Sequence, residues 1–257
     1  MTGRTPEPTP SEPTAGRSGS TVEFVERDGR LLVAKTGPTG ADAPWGGVAD
    51  EAARLEWLAG AGAPVPALVD LTEHGDGTAT LLTERLPGFD AARREARARP
   101  EELVELFAKA LRVWHDNLPV DACPFRSDWS TRLALARRRL GQGLIGPDDL
   151  DGAYRRIDLD TLVASLGRPD PDDPDDLVVV HGDPSLPNLI IGAAGLSGWV
   201  DVGRVGVGSR WCDLMIAATT VAANLGPMLV PTLFEAYGVE PADMLAIDAY
   251  QLLEQFL

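Results

Sequence analysis

The chain has 257 residues, 44% of them hydrophobic, enough to bury a sizeable core in one large domain or two small lobes and too many for a disordered protein. Its 23 Lys and Arg against 39 Asp and Glu give a net charge of -16, the wrong sign for a nucleic-acid backbone or an anionic membrane face and the right one for a cationic small ligand. Cys123 and Cys212 are too few for a disulfide framework or a four-sulfur zinc site, no apolar run approaches the ~20 residues of a membrane span, and the N-terminus carries no apolar signal segment, so a cytoplasmic protein is expected.

Residues 1–17 hold four prolines among Ser, Thr and Glu without apolar periodicity, the composition of a disordered tail. TVEFV, a turn at Arg27-Asp28-Gly29-Arg30 and LLVAK then read as a hairpin, and ALVDL and ATLLTE as two further strands. Between them VADEAARLEWLAGAG carries Ala52, Leu55 and Leu58 at helical spacing, with Gly60 and Gly62 as a stop. After Gly88 helices dominate. EELVELFAKALRVWH puts Leu103, Leu106, Phe107, Ala110, Leu111 and Trp114 on one stripe, and DWSTRLALARRRLGQGL gives another helix with Arg137 to Arg139 as a solvated face. PDPDDPDD (169–176) reads as an acidic surface loop. LVVV, NLII and GWVDV read as strands around a polar loop, and three helices close the chain. The fold class is therefore α+β, with a small sheet lobe carrying one helix followed by a larger, mainly helical lobe.

The chemistry concentrates in HGDPSLPN and WVDVGR. Asp183 and Asn188 lie five residues apart on a loop after an apolar strand, and Asp201 follows thirteen later at the end of the next strand, in an Asp-x-Gly. This is the spacing of a protein-kinase catalytic loop and its metal-binding aspartate. Phosphoryl transfer needs such a set: a carboxylate to orient or deprotonate the attacking hydroxyl, and hard oxygen ligands for magnesium. It also needs a cation on the nucleotide phosphates. Lys35, one of only two lysines, ends the strand LLVAK, and Glu51 opens the helix sixteen residues on, where a lysine-binding glutamate is required. The Gly/Ser turn GRSGST holds Ser18, which could cap phosphates. His181 is read as structural, His74 and His115 as surface and helix-face residues, and Asp213 as a helix cap or a hydrogen-bond partner of the catalytic loop.

The runs EAARLEWLAGAGAPVPALVD, LLTERLPG, DACPF, LVVVHGDPSLPNLII, SGWVDVGRVGV and the terminal LLEQF resemble the aminoglycoside 3'-phosphotransferases, nearly throughout residues 18–257. The resemblance implies a bilobal protein-kinase-like fold, with a nucleotide-binding lobe over 18–85 and a catalytic and substrate-binding lobe over 86–257. It implies an enzyme using ATP or GTP with Mg2+ to phosphorylate a hydroxyl, the 3'-hydroxyl, of an antibiotic such as kanamycin or neomycin, so giving resistance. By position, Asp183 is then the catalytic base, Asn188 and Asp201 the magnesium ligands, Lys35 and Glu51 the phosphate-binding pair, Ser18 a serine over the phosphates, and Thr83, Glu84 and Arg85 the hinge that meets adenine. Asp149 and Asp151, Arg204 and the C-terminal Glu254, Gln255 and Leu257 fall where that family binds the antibiotic. The partners implied are a nucleoside triphosphate and a cationic small molecule, with the protein a monomer or homodimer.

The chain also departs from that family. Its end, Glu254-Gln255-Phe256-Leu257, lengthens one C-terminal carboxylate and neutralises another, Gly152 replaces an acidic residue and Thr219 an arginine. Each lost carboxylate removes a charge-assisted contact worth ~1.5 to 3 kcal/mol in a dry site. A helix and a strand that precede the serine loop in the family have only the Pro-rich tail as counterpart, so the sheet is expected to lack an edge strand. A related small-molecule kinase for another hydroxylated antibiotic or metabolite is one alternative. A non-catalytic kinase-like binding protein is the other, and retention of Lys35, Glu51, Asp183, Asn188 and Asp201 together argues against it.

Overall fold

The structure, a computed structural model, describes residues 14–15, 19–39, 47–167 and 170–257, which fall into two units meeting in sequence at Pro87 and Gly88. In the first unit Thr14–Ala15 (β1), Thr21–Arg27 (β2), Arg30–Pro38 (β3), Leu68–Glu73 (β4) and Thr78–Glu84 (β5) form an antiparallel sheet in the order β1-β2-β3-β5-β4. The β2–β3 hairpin turns on Asp28 and Gly29, whose φ angles of 54° and 73° match the positive values a two-residue turn needs between right-twisted strands. The period-two pattern of β5 turns Ala79, Leu81 and Thr83 inward, and Gly47–Gly60 (α1) lays Val48, Ala52, Leu55 and Leu58 on that side of the sheet. The Pro-rich tail expected over 1–17 lies outside the described residues except at β1, which pairs Thr14 with Val22 and Ala15 with Thr21. A short edge strand is therefore present where none was expected, because two extended residues suffice to cover part of the open edge of β2.

The second unit is built on helices. Phe89–Asp90 (β6) is followed by Pro100–Asn117 (α2), Trp129–Gly141 (α3) and Leu159–Ser165 (α4), then by the strands Leu177–Val180 (β7), Leu189–Gly192 (β8), Gly195–Trp199 (β9) and Gly206–Ser209 (β10). Arg210–Asn224 (α5), Val230–Tyr237 (α6) and Met244–Glu254 (α7) close the chain. Strands β6, β8 and β9 make one small sheet, and β7 pairs antiparallel with β10. The stripe of α2 faces the core: Leu103, Phe107, Leu111 and Trp114 are all buried, and the Trp114 indole donates to the Val179 carbonyl at 3.0 Å.

Three expectations need correction. The strand read in GWVDV stops at Trp199, so Asp201 sits two residues beyond it rather than at its end. The stretch from Asp170 to Asp176 is no plain surface loop: Asp172 accepts from the Trp129 amide at 2.9 Å and from the Tyr250 hydroxyl, and Asp176 meets Arg210 at 3.1 Å and the Trp211 indole at 2.6 Å. Strand β10 went unread because Val207 is the one strand-forming side chain in GVGS. Its glycines are set by space, since a Cβ on Gly206 would lie 2.8 Å from the Arg126 carbonyl carbon and 2.9 Å from the Ser127 nitrogen. Residues 125–127 hydrogen-bond along β10, with Ser127 N–H donating to Val207 at 2.8 Å and Val207 N–H to Phe125 at 2.9 Å. Gly206→Ala should therefore destabilise the protein by about 1–3 kcal/mol in urea unfolding, against less than that for an open-space glycine such as Gly60.

Candidate active site

In the first unit the antiparallel register places Lys35 between Val22 of β2 and Leu81 of β5, with its side chain mostly buried. Its ammonium donates to Glu51 Oε2 at 2.6 Å, from the first turns of α1. A compact charge held this tightly is fixed in position rather than sweeping through solvent. Thr83 is buried near the end of β5, the Glu84 N–H donates to the Ala67 carbonyl at 2.9 Å, and the Glu84 carboxylate is paired with Arg30. The Arg85 guanidinium lies over the Phe24 ring, 5.9 Å from its centroid. Ser18 lies outside the described residues.

In the second unit β7 delivers the loop that holds Asp183. Gly182 has φ 86°, and a Cβ there would meet the Arg204 backbone at 2.5 Å, so only glycine lets the chain turn this close. The loop is stitched by its own backbone: Ser185 N–H donates to the Asp183 carbonyl at 2.8 Å, and the Asn188 side-chain amide donates to the same oxygen at 3.0 Å. That bond fixes the amide plane of Asn188 and directs its Oδ1 to the other side. Asn188 is joined to the residue just past β9 by the Val200 N–H, donated to its carbonyl at 3.0 Å, and Asp201 follows directly. Asp201 has φ 59°, an uncommon conformation for a residue with a side chain, and it is exposed. Burial pushes the Asp183 carboxyl above the ordinary carboxylate range, with Arg204 pulling against it and the charge of Asp201 adding to it. Asp183, Asn188 and Asp201 are thus brought together. Among the described residues no group of three or more His, Cys, Asp or Glu could hold a metal alone, but an exposed carboxylate and an oriented amide oxygen fit a hard ion that also keeps water and phosphate oxygens.

What holds this loop is a buried relay that sequence reasoning saw only in part. Asp213, in the first turn of α5 and fully buried, accepts from the His181 N–H at 2.7 Å and the Gly182 N–H at 2.8 Å. Its Oδ2 also meets His115 Nε2 at 3.0 Å, and His115 Nδ1 meets the Tyr237 hydroxyl at 2.7 Å. Burial pushes the Asp213 carboxyl up, yet the bonds from His115 and the loop amides outweigh it and hold its pKa below the ordinary range. His115, read as a helix-face residue, thus lies on the buried face of α2; a histidine one position past Trp114 on a buried stripe was the available signal. His181 packs between Trp114 and Trp199, at centroid distances of 5.4 and 5.1 Å, and burial lowers its pKa so that it stays neutral.

The C-terminal residues are engaged within the chain. Arg204 donates to Glu254 Oε1 at 2.6 Å, and Arg132, wholly buried, approaches Glu254 Oε2 at 3.5 Å. Gln255 Oε1 accepts from the Asp151 N–H at 2.8 Å, which docks the loop of Asp149 and Asp151 onto the end of α7. Asp149 caps that loop through the Gly146 N–H at 2.8 Å, Asp151 is exposed, and Gly152 takes φ 47°, which favours glycine there over a carboxylate. Leu257 is half-buried. Arg139, read as part of a solvated face, has a buried Nε, and burial together with the Arg204 charge lowers its pKa while Asp149 and Glu254 oppose them.

A model of the phosphotransferase enzyme family matches residues 10–250. The chain belongs to this family. It is 35% identical over 231 residues to an aminoglycoside 3'-phosphotransferase of Streptomyces fradiae, covering 88% of this chain and 85% of the relative. It superposes on a crystal structure of an aminoglycoside-3'-phosphotransferase of type VIII with a TM-score of 0.84 at 29% identity, over 97% of this chain and 93% of the other. A phosphotransferase from Streptomyces rimosus, APH(3'')-Id, solved with ADP and streptomycin, aligns with a TM-score of 0.76 at 25% identity over 94% and 93%. The fold is accordingly the α+β, bilobal, kinase-like one of these phosphotransferases, and the protein is a phosphotransferase.

Replacing the Asp213 carboxylate with an amide removes the charge and, because the two loop N–H groups bond to different oxygens, sets an NH2 donor against one of them. Asp213→Asn should cost about 3–5 kcal/mol of unfolding free energy at neutral pH. Because the folded pKa is depressed, that contribution is present above the unfolded pKa and is lost as pH falls through the folded one. The gap between wild type and Asp213→Asn in denaturant titrations should therefore narrow only in strong acid.

Proposed function

We propose that the protein transfers the γ-phosphoryl group of ATP or GTP to a hydroxyl, the 3'-hydroxyl, of an aminoglycoside, a reaction that confers resistance. The observation that carries this is the loop in which the Asn188 amide is tied to the Asp183 carbonyl at 3.0 Å, with Asp201 beside it in a left-handed conformation. Asp183 takes the proton of the acceptor hydroxyl as its oxygen bonds to the γ-phosphorus and the bond to the leaving nucleoside diphosphate breaks. The raised pKa of its buried carboxyl suits it to that proton. Asn188 and Asp201 would hold magnesium, which would neutralise phosphate charge when bound. Lys35, positioned by Glu51, sets a cation on the donor's phosphates, Ser18 caps them, and the backbone of Thr83 to Arg85 meets the base. Asp149 and Asp151 supply negative charge for the acceptor's ammonium groups. The overall charge of -16 favours capture of such a cation in the cytoplasm.

A second acceptor class has a specific observation behind it. Gln255 has no charge and spends its oxygen on the Asp151 N–H, so the C-terminus offers less anionic surface to a polyamine. The relative from Streptomyces rimosus was solved with streptomycin, which makes a different hydroxylated antibiotic the alternative acceptor.

Coupled nucleotide turnover with kanamycin, neomycin and streptomycin, each with ATP and GTP, should show acceptor-dependent release of diphosphate with at least one of them. Asp183→Ala should lower kcat a hundredfold or more, on the order expected for losing a general base, and Lys35→Ala about ten- to a hundredfold, both in folded protein. Full turnover in purified Asp183→Ala would overturn the assignment.

A further inference from the structure

Glu254 stands where the resemblance expects an anionic contact to the antibiotic, yet both of its oxygens face arginines. We infer that Glu254 is a positioning residue that acts through Arg204 and Arg132 on the catalytic loop. Arg204 donates to Oε1 at 2.6 Å, a short charge-assisted bond, and Arg132 lies 3.5 Å from Oε2. Arg132 is wholly buried, and its other donors reach the Ser127 carbonyl at 3.0 Å, the Ser127 hydroxyl at 3.1 Å and the Gly182 carbonyl at 3.4 Å. Ser127 in turn donates its hydroxyl to the Arg204 carbonyl at 2.9 Å, and Gly182 packs directly on Arg204.

These contacts close a circuit that runs from the end of α7, through two guanidinium groups, to the residue immediately before Asp183. Its electrostatics point the same way. Burial works against the Arg204 charge, but Glu254, through both its charge and its hydrogen bond, and Asp183, through its charge, outweigh it and raise its pKa. With Glu254 neutral, Arg204 would be drawn more fully onto Asp183, and Arg132 would be left as a buried charge with a weakened partner set. A Glu254 spent on ammonium binding would divide its single charge between that ammonium and the 2.6 Å bond to Arg204. The one-carbon extension from the family's aspartate gives the side chain reach toward both guanidinium groups.

This inference rests on Asp183 being the reacting base, and the two can fail separately. Steady-state kinetics of Glu254→Gln should show kcat lowered tenfold or more with the acceptor KM changed less than threefold, and Glu254→Asp, which keeps the charge, should recover part of the loss. Arg132→Lys should show the same split and serves as the second route where Glu254→Gln folds poorly. A tenfold rise in acceptor KM at an unchanged kcat would overturn the positioning role and return Glu254 to acceptor binding. If wild type phosphorylates none of the aminoglycosides, the acceptor assignment fails, and the inference is read on the slow hydrolysis of magnesium nucleotide by water. There Glu254→Gln should again lower the rate tenfold, and an unchanged rate would overturn it.

Discussion

The structure of the second unit turns on one carboxylate. Asp213 is fully buried and ionised, a state that isolated would cost many kcal/mol, and it is made tolerable by the bonds it accepts from the two loop amides and from His115. The direction of this dependence matters. Because the charge cannot be left unpaired, the backbone of His181 and Gly182 is held wherever Asp213 stands, and the position of Asp183 follows from α5 rather than from its own side chain. Tyr237 and His115 tie α6 and α2 into the same arrangement, so three helices share in fixing one loop.

A second set of constraints reaches the loop from the opposite end of the chain. Arg132, Arg204 and Glu254 bring α3, the segment after β9 and the end of α7 to the Gly182–Asp183 region, and Gln255 carries the Asp151 loop with it. In a chain with a net charge of -16 these arginines are locally concentrated. Their effect is to compensate Asp183, Asp201 and Glu254, three carboxylates that would otherwise repel one another within one site. The surroundings of Glu254 are thus less acidic than the count of Asp and Glu there suggests.

What could be read from the sequence was what local chemistry decides. The Asp28-Gly29 turn, the stripe of α2 and the Lys35 to Glu51 spacing each depend on a strand or helix period and a short connection, and the structure has a hairpin, a buried helix face and an ion pair at those places. Long-range partners were not legible. His115 meets residues 98 and 122 positions away, and Arg132 meets one 122 away, so their neighbourhoods did not show which partners they would meet. Strand β10 was hidden because its glycines answer to the backbone of residues 126–127, and the Asp201 strand was read too long because WVDV is apolar enough to continue while its backbone turns left-handed. Glu254 was read as part of the acceptor end because the arginines opposite it, Arg132 and Arg204, lie in other elements.

Amide hydrogen exchange at His181 and Gly182 tests most directly whether Asp213 is what fixes the loop. If it is, these two amides should be among the slowest in the protein and exchange only when the whole second unit unfolds, with exchange free energies tracking global stability as denaturant is added. Exchange through a local opening several kcal/mol below global unfolding, with the rest of β7 still protected, would show that the loop is held by something other than this carboxylate.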